Sequence, residues 1–199
     1  MNKTRLEAFS DGVFAIVITL LILNIRLPDV DYAHLPQALQ DLVPNILAYV
    51  MSFVVIGLYW VAHHSSFQLI SKINRGFLWL NILLLLFVSF MLFPAYLLGK
   101  YPFKELPVVI YGCNLLAANL TGFCIVLYIW YCPGLKGESF THAIFKRQVM
   151  VYLCVNTVYV IALLLAFVNP SISYYLYGVV LFALIILFGK DVDRMYGNH

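Results

Sequence analysis

Arg5, Ser10 and Asp11 enter a run, Arg5-Leu-Glu-Ala-Phe9-Ser10-Asp11-Gly12-Val-Phe-Ala-Ile16-Val-Ile-Thr19-Leu20-Leu-Ile-Leu23, that is otherwise apolar enough to cross a bilayer. At 1.5 Å per residue Asp11 lies about 9 Å in from Arg5, where an ionised carboxylate without partners costs roughly 2.5 kcal/mol or more. Partners exist at the same depth: His63 and His64 precede Lys72 by eight or nine residues, and Asn81 follows Arg75 by six. Depth alone groups Asp11, Ser10, one of His63 and His64, and Asn81 into a buried cluster flanked by Trp60 and Trp79. Such a cluster serves interhelical hydrogen bonding, or gating by a titrating histidine.

Other chemistries lack their residues. The chain has no H-E-x-x-H, G-x-S-x-G, nucleotide-binding glycine loop or paired carboxylates, so no enzyme is expected. Adjacent histidines project about 100° apart on a helix and cannot share a metal as an i, i+4 pair would, so neither metal nor cofactor is expected. Asp11 is the one acid expected inside a span, which leaves a proton-coupled transporter no midplane relay beyond the histidine pair. A T-V-G-Y-G potassium filter is absent, so an ion pathway would need another device, such as an aliphatic constriction that dewets.

The elements that position these groups follow from composition. Hydrophobic residues make up 63% and charged residues 11% of 199, and the mean hydropathy is +0.92, against a charged fraction of about 25% in soluble domains. The fold class is therefore all-α, a polytopic membrane protein whose helices each need roughly 20 apolar residues. Six segments qualify: about Thr4 to Ile25, Pro44 to Ile70, Asn74 to Leu98, Pro107 to Tyr131, Arg147 to Val168 and Ile172 to Phe188. Residues 1–199 then form a single six-helix subunit with no soluble domain. The first segment carries Glu7 and Asp11 and lacks a small-x-small cleavage site, so it is expected to be a retained helix.

Nine of the twelve basic residues (Lys3, Arg5, Lys72, Arg75, Lys136, Lys146, Arg147, Lys190 and Arg194) fall on one side of these six spans, and Arg26, Lys100 and Lys104 on the other. The positive-inside rule places both termini in the cytoplasm, and the net charge of +3 reads as topology rather than nucleic-acid binding. Cys113, Cys124, Cys132 and Cys154 are expected to pack within the apolar segments. Asn114, Asn119, Thr121, Asn156 and Thr157 are expected to bond between helices, with Ala118-x-x-x-Gly122 allowing close approach.

On the first helix, Arg5, Phe9, Gly12, Ile16, Thr19, Leu20 and Leu23 share one stripe, and Ser10 and Asp11 fall elsewhere. An aliphatic stripe suits lipid contact or packing, and it suits a pore if copies surround an axis.

The signature Arg5-x-x-x-Phe9-Ser10-Asp11-Gly12-Val13-Phe14-Ala15-Ile16, followed by Thr19-Leu20-Leu21 and by Trp60-x-x-His63-His64, closely resembles the transmembrane protein 175 family, whose eukaryotic members are endolysosomal potassium channels. The chain resembles the short prokaryotic form. The resemblance implies a homotetramer in the cell membrane of a prokaryote, its partners being its own copies and the bilayer, with four first helices lining a central pore. It implies a hydrophobic constriction at Ile16, Leu20 and Leu23, a hydroxyl ring at Thr19, and potassium passing transiently near Ile16 and Thr19. The signature Arg5, Ser10 and Asp11 would act behind the pore, bonding to the second and third helices, with Phe9, Gly12, His63, His64 and Asn81 in the same structural network. Helical angles put Arg5 on the pore-side stripe, and the direction of its long side chain stays open. A proton or non-selective cation leak through the same pore and a histidine-dependent secondary transporter are the competing expectations, with a non-conducting scaffold behind them.

Overall fold

The computed structural model describes residues 2–196, with side chains except those of Phe182 and the residues after Ile185. Helix α1 spans Lys3–Leu20 and continues as a 3-10 turn over Leu21–Asn24. A 3-10 turn at Tyr32–His34 leads into α2 (Leu35–Asp41) and α3 (Val43–Gln68). Then follow α4 (Arg75–Phe90), α5 (Leu92–Lys100), α6 (Glu105–Tyr131), α7 (His142–Ala166) and α8 (Pro170–Tyr196). No strand forms among the described residues, which contain one isolated bridge, Ile70 to Lys136.

The helices start where local chemistry supplies the missing acceptors. Asn2 caps α1 by accepting from the Thr4 amide (3.2 Å), Asn74 caps α4 through the Phe77 amide (2.9 Å), and Thr141 caps α7 through the Ile144 amide (3.4 Å). The Thr141 cap moves the start of α7 to His142, five residues before the Arg147 expected from hydropathy. The expected third segment is divided at Met91 between α4 and α5. Pro94 has no amide hydrogen to bond back to the Phe90 carbonyl, so the hydrogen-bond ladder is interrupted beside this division. The short helix α2, with Pro36 in its first turn, was not anticipated.

Among the described residues five helical stretches are long and apolar enough to span a membrane: Lys3–Asn24, Val43–Gln68, Arg75–Lys100, Glu105–Tyr131 and His142–Ala166. The apolar part of α8, Pro170–Ile185, is shorter. More than half of the α6 window is buried (56%) but only 28% of the α1 window, so α6 is the centre of the bundle and α1 its flank. Helix α6 packs against α4, α5, α7 and α8, whereas α1 rests on α3 and α4.

In a bilayer, lipid is as apolar as leucine, so small residues and hydrogen bonds set the contacts. Asn119 donates to Asn156 (3.0 Å) between α6 and α7, and Asn114 donates to the Phe87 carbonyl (3.1 Å) of α4, as expected of interhelical bonds. Thr121 and Thr157 instead donate to carbonyls of their own helices, Ala117 and Leu153. At Gly122 a Cβ would stand 2.8 Å from the Tyr152 hydroxyl, so the glycine does permit the approach of α7. The cysteines correct the expectation of packing. Cys113, Cys124 and Cys154 are exposed on the helix surfaces and Cys132 is half-buried, because apolar residues are equally at home facing lipid.

The loops after α3 and α6 meet at one end of the bundle. Ser71 donates to the Leu135 carbonyl (2.9 Å), Gly137 to that of Leu69 (2.8 Å), and the Lys3 ammonium to that of Ile70 (2.8 Å). Lys3, Lys72 and Lys136 therefore share this end, and the side chains of Lys190 and Arg194 lie outside the described residues.

Candidate functional site

Helix α1 has two unlike faces. Leu6, Ser10, Phe14, Val17 and Leu21 are buried at spacings of three and four, the period of one helix face. Arg5, Phe9, Gly12, Ile16, Thr19, Leu20 and Leu23 form the opposite face and are all exposed, Ile16 by 60% and Leu23 by 59%. Helical angles had placed these residues on one stripe, and Arg5 shares it: it is exposed, with no ion pair among the described residues.

The 3-10 turn keeps the stripe straight at its far end. With three residues per turn, Leu23 lies directly above Leu20, about 6 Å further along the axis. Asn24 closes the turn by donating to the Leu92 carbonyl (3.1 Å) beside the α4–α5 junction. Between the aliphatic residues, Thr19 donates its hydroxyl proton to the Ala15 and Ile16 carbonyls, both at 2.9 Å. Its oxygen lone pairs then point away from the helix, which suits a cation ligand.

The buried face is anchored by one chain of hydrogen bonds. Ser10 donates to the Leu6 carbonyl (2.9 Å), Asn81 of α4 donates to Ser10 (3.0 Å), and the Asn81 carboxamide oxygen meets His63 Nε2 of α3 at 2.7 Å. The direction of every proton is forced. A carbonyl can only accept, so Ser10 has a lone pair left for the Asn81 amide, and the Asn81 oxygen must receive a proton from His63 Nε2. Neutral His63 therefore carries its hydrogen on Nε2. Phe14 and Phe67 enclose the ring, with centroids 5.3 and 4.6 Å away.

Asp11 does not join this cluster, contrary to the expectation from depth. It is half-buried and accepts from the Trp60 indole (2.9 Å). His64 stacks on Trp60 at 5.8 Å and lies 3.5 Å from Glu7, with 41% of its side chain exposed. His63 is thus the inward member of the pair and His64 the lateral one. Trp79 does not flank the cluster either, being 67% exposed. Depth fixes level along the bundle and says nothing about direction around a helix, so it does not separate Asp11 and Trp79 from the buried groups at their level. The Trp60–Asp11 bond was missed for the same reason, although an indole N–H one turn before His64 was a visible donor. Among the described residues no group of three metal-ligating side chains occurs.

The fold is a helical membrane bundle whose first helix is held from behind and exposed in front. The family model described as "Endosomal/lysosomal potassium channel TMEM175" matches residues 5–91. A potassium channel of Chryseobacterium sp. (strain P1-3) is 34% identical over 185 residues, covering 90% of this chain and 92% of its own. An endosomal/lysosomal proton channel TMEM175 of Gallus gallus is 48% identical over 98 residues, covering 45% of this chain and 20% of its own. The crystal structure of a lysosomal potassium-selective channel TMEM175 homolog from Chamaesiphon minutus superposes with a TM-score of 0.83 at 29% identity, covering 92% of this chain and 96% of that one. The chain belongs to the TMEM175 family, a family of channels and not of enzymes.

Proposed function

We propose that the chain is one subunit of a passive potassium channel in which copies of α1 surround a central pore. The observation that carries the proposal is the two-faced first helix. Ser10, through Asn81 and His63, ties one face to α3 and α4, and the other face is a bare column of Ile16, Thr19, Leu20 and Leu23. Lined up around an axis, the aliphatic residues form a narrow ring that excludes water, and conduction requires it to widen. Thr19 offers oxygen lone pairs beside Ile16, where a potassium ion would shed part of its water. The protein needs no cofactor, and potassium is its permeant ion.

The assembly is a homotetramer of identical single-domain subunits, residues 1–199, in the cell membrane of a prokaryote. Each subunit has six spans, with α8 the shortest, and both termini are cytoplasmic. The gathering of Lys3, Lys72 and Lys136 at one end supports this orientation. Potassium flux through purified protein in liposomes tests the reading. Wild type is expected to conduct and Leu20→Trp to be blocked, and flux unchanged in the variant would move the pathway elsewhere.

A second reading, proton or non-selective cation leak through the same pore, is favoured by the name of the Gallus gallus relative, a proton channel. Reversal potentials in a pH gradient and in a potassium gradient separate the two. A histidine-dependent transporter fits less well, because His63 lies behind α1 and bonds to Asn81.

A further inference from the structure

The hydrogen-bond chain that anchors α1 ends on an atom with no partner. His63 Nδ1 is buried and accepts from nothing, although the proton order from Leu6 through Ser10 and Asn81 leaves it a bare lone pair. The residue is 4% exposed and borders a cavity of about 20 Å³, counted as space open to the centre of a water molecule. One water needs about 10–15 Å³ of such space and two or more polar neighbours. Ser66 and Tyr152 also line the cavity, and Gly122 leaves the Tyr152 hydroxyl its room.

Behind this cavity lies a larger one of about 310 Å³ between α3, α6, α7 and α8. The two share Tyr59, Ala62, Ser66 and Tyr152 as walls. Gln68, Arg147 and Gln148 also line the larger cavity, and the Gln148 carboxamide oxygen is a second buried polar atom without a partner. Polar residues on its wall make the larger cavity a route that water can enter. No residue of α1 lines either cavity.

We propose that the small cavity is a water site whose occupant donates a hydrogen bond to His63 Nδ1, and that water and protons reach it through the larger cavity rather than past α1. Protonation then places a hydrogen on Nδ1 that donates to the same water, leaving the Nε2 bond to Asn81 intact. The ionisable groups facing the ring are Asp11 on α1, His64 on its own helix, and Tyr59 and Tyr152. The cavity walls from α4 and α6, which include Phe77, Asn81, Ala118 and Gly122, bring no ionisable group. The proposal holds whether or not α1 lines a pore.

Deuterium uptake at the imidazole Cε1–H, read by mass spectrometry with fragmentation to resolve His63 from His64, tests it on the whole protein in liposomes. Uptake at this carbon requires a protonated ring and water at hand. Gly122→Ala sets a methyl against the Tyr152 hydroxyl at the cavity wall, so uptake at His63 is expected to fall about tenfold or more, as where exchange must wait for local opening. His64 should keep its rate. Wild-type His63 already as slow as in the variant, or a variant rate equal to wild type, overturns the proposal. Should Gly122→Ala fail to fold, density in an experimental map of the wild type decides: a water within hydrogen-bond distance of Nδ1 supports the site, and an empty cavity refutes it.

Discussion

Asn81 and His63 meet at 2.7 Å while the same carboxamide holds Ser10 at 3.0 Å, so one side chain of α4 joins α1 to α3. Replacing Asn81 with leucine removes both interhelical bonds: His63 Nε2–H loses its acceptor, and Ser10 keeps only its bond to the Leu6 carbonyl. Interhelical hydrogen bonds in membranes average about 0.6 kcal/mol and reach about 1.7, so losing both is expected to cost about 1–3 kcal/mol. Thermal unfolding in detergent measures this, and an unchanged midpoint in Asn81→Leu would sink the anchor.

The adjacent histidines should respond very differently. His63→Ala removes a buried ring between Phe14 and Phe67 together with the bond to Asn81, at about 2–4 kcal/mol. His64→Ala loses an exposed pair with Glu7 and a stack on Trp60, about 1 kcal/mol or less. Equal losses of melting temperature in the two variants would contradict this division.

Asp11 accepts one hydrogen bond from the Trp60 indole, and an asparagine oxygen can also accept it in the same place, though more weakly than a carboxylate. Asp11→Asn is therefore expected to keep near wild-type stability and Asp11→Ala to lose about 1–2 kcal/mol. If Asn proves as damaging as Ala, the negative charge itself is required.

At Thr19 the expected change is in ion preference. The hydroxyl proton is committed to the helix at 2.9 Å, so the oxygen offers lone pairs alone. Thr19→Ala should raise sodium permeability relative to potassium, measured by reversal potential in bi-ionic gradients. A preserved ratio would relocate selectivity to another layer.

Gly99 tests the packing of α5. A Cβ there would stand 2.9 Å from the Asn45 backbone, which a rotamer change cannot relieve. Gly99→Ala is expected to destabilise by about 1–3 kcal/mol, read from thermal unfolding in detergent; a wild-type midpoint would mean that α3 yields at Asn45.

Much of the first helix was legible in the sequence because its two constraints are periodic. Charge at Arg5 and Arg26 marked its ends, and the 3.6-residue repeat separated Ile16, Thr19, Leu20 and Leu23 from Ser10. Matching depth between antiparallel helices also brings the His63–His64 pair and Asn81 to the level of Ser10, without choosing between the two histidines. Azimuth was not legible: a membrane surface and a membrane core are built from the same apolar residues, so nothing marked Trp79 or Cys113, Cys124 and Cys154 as outward. The division at Met91 was hidden by unbroken hydropathy on either side of Pro94.

The 3-10 turn at Leu21–Asn24 gives the column of exposed side chains a dial at one end. An α-helix advances 100° per residue and a 3-10 helix 120°, so rewinding this segment into α-helix would swing Leu23 by about 60° relative to Leu20 and draw it inward by about 1.5 Å. Leu20 would scarcely move. The Asn24 bond to the Leu92 carbonyl is the catch on that dial, which couples the winding of the first helix to the junction between α4 and α5.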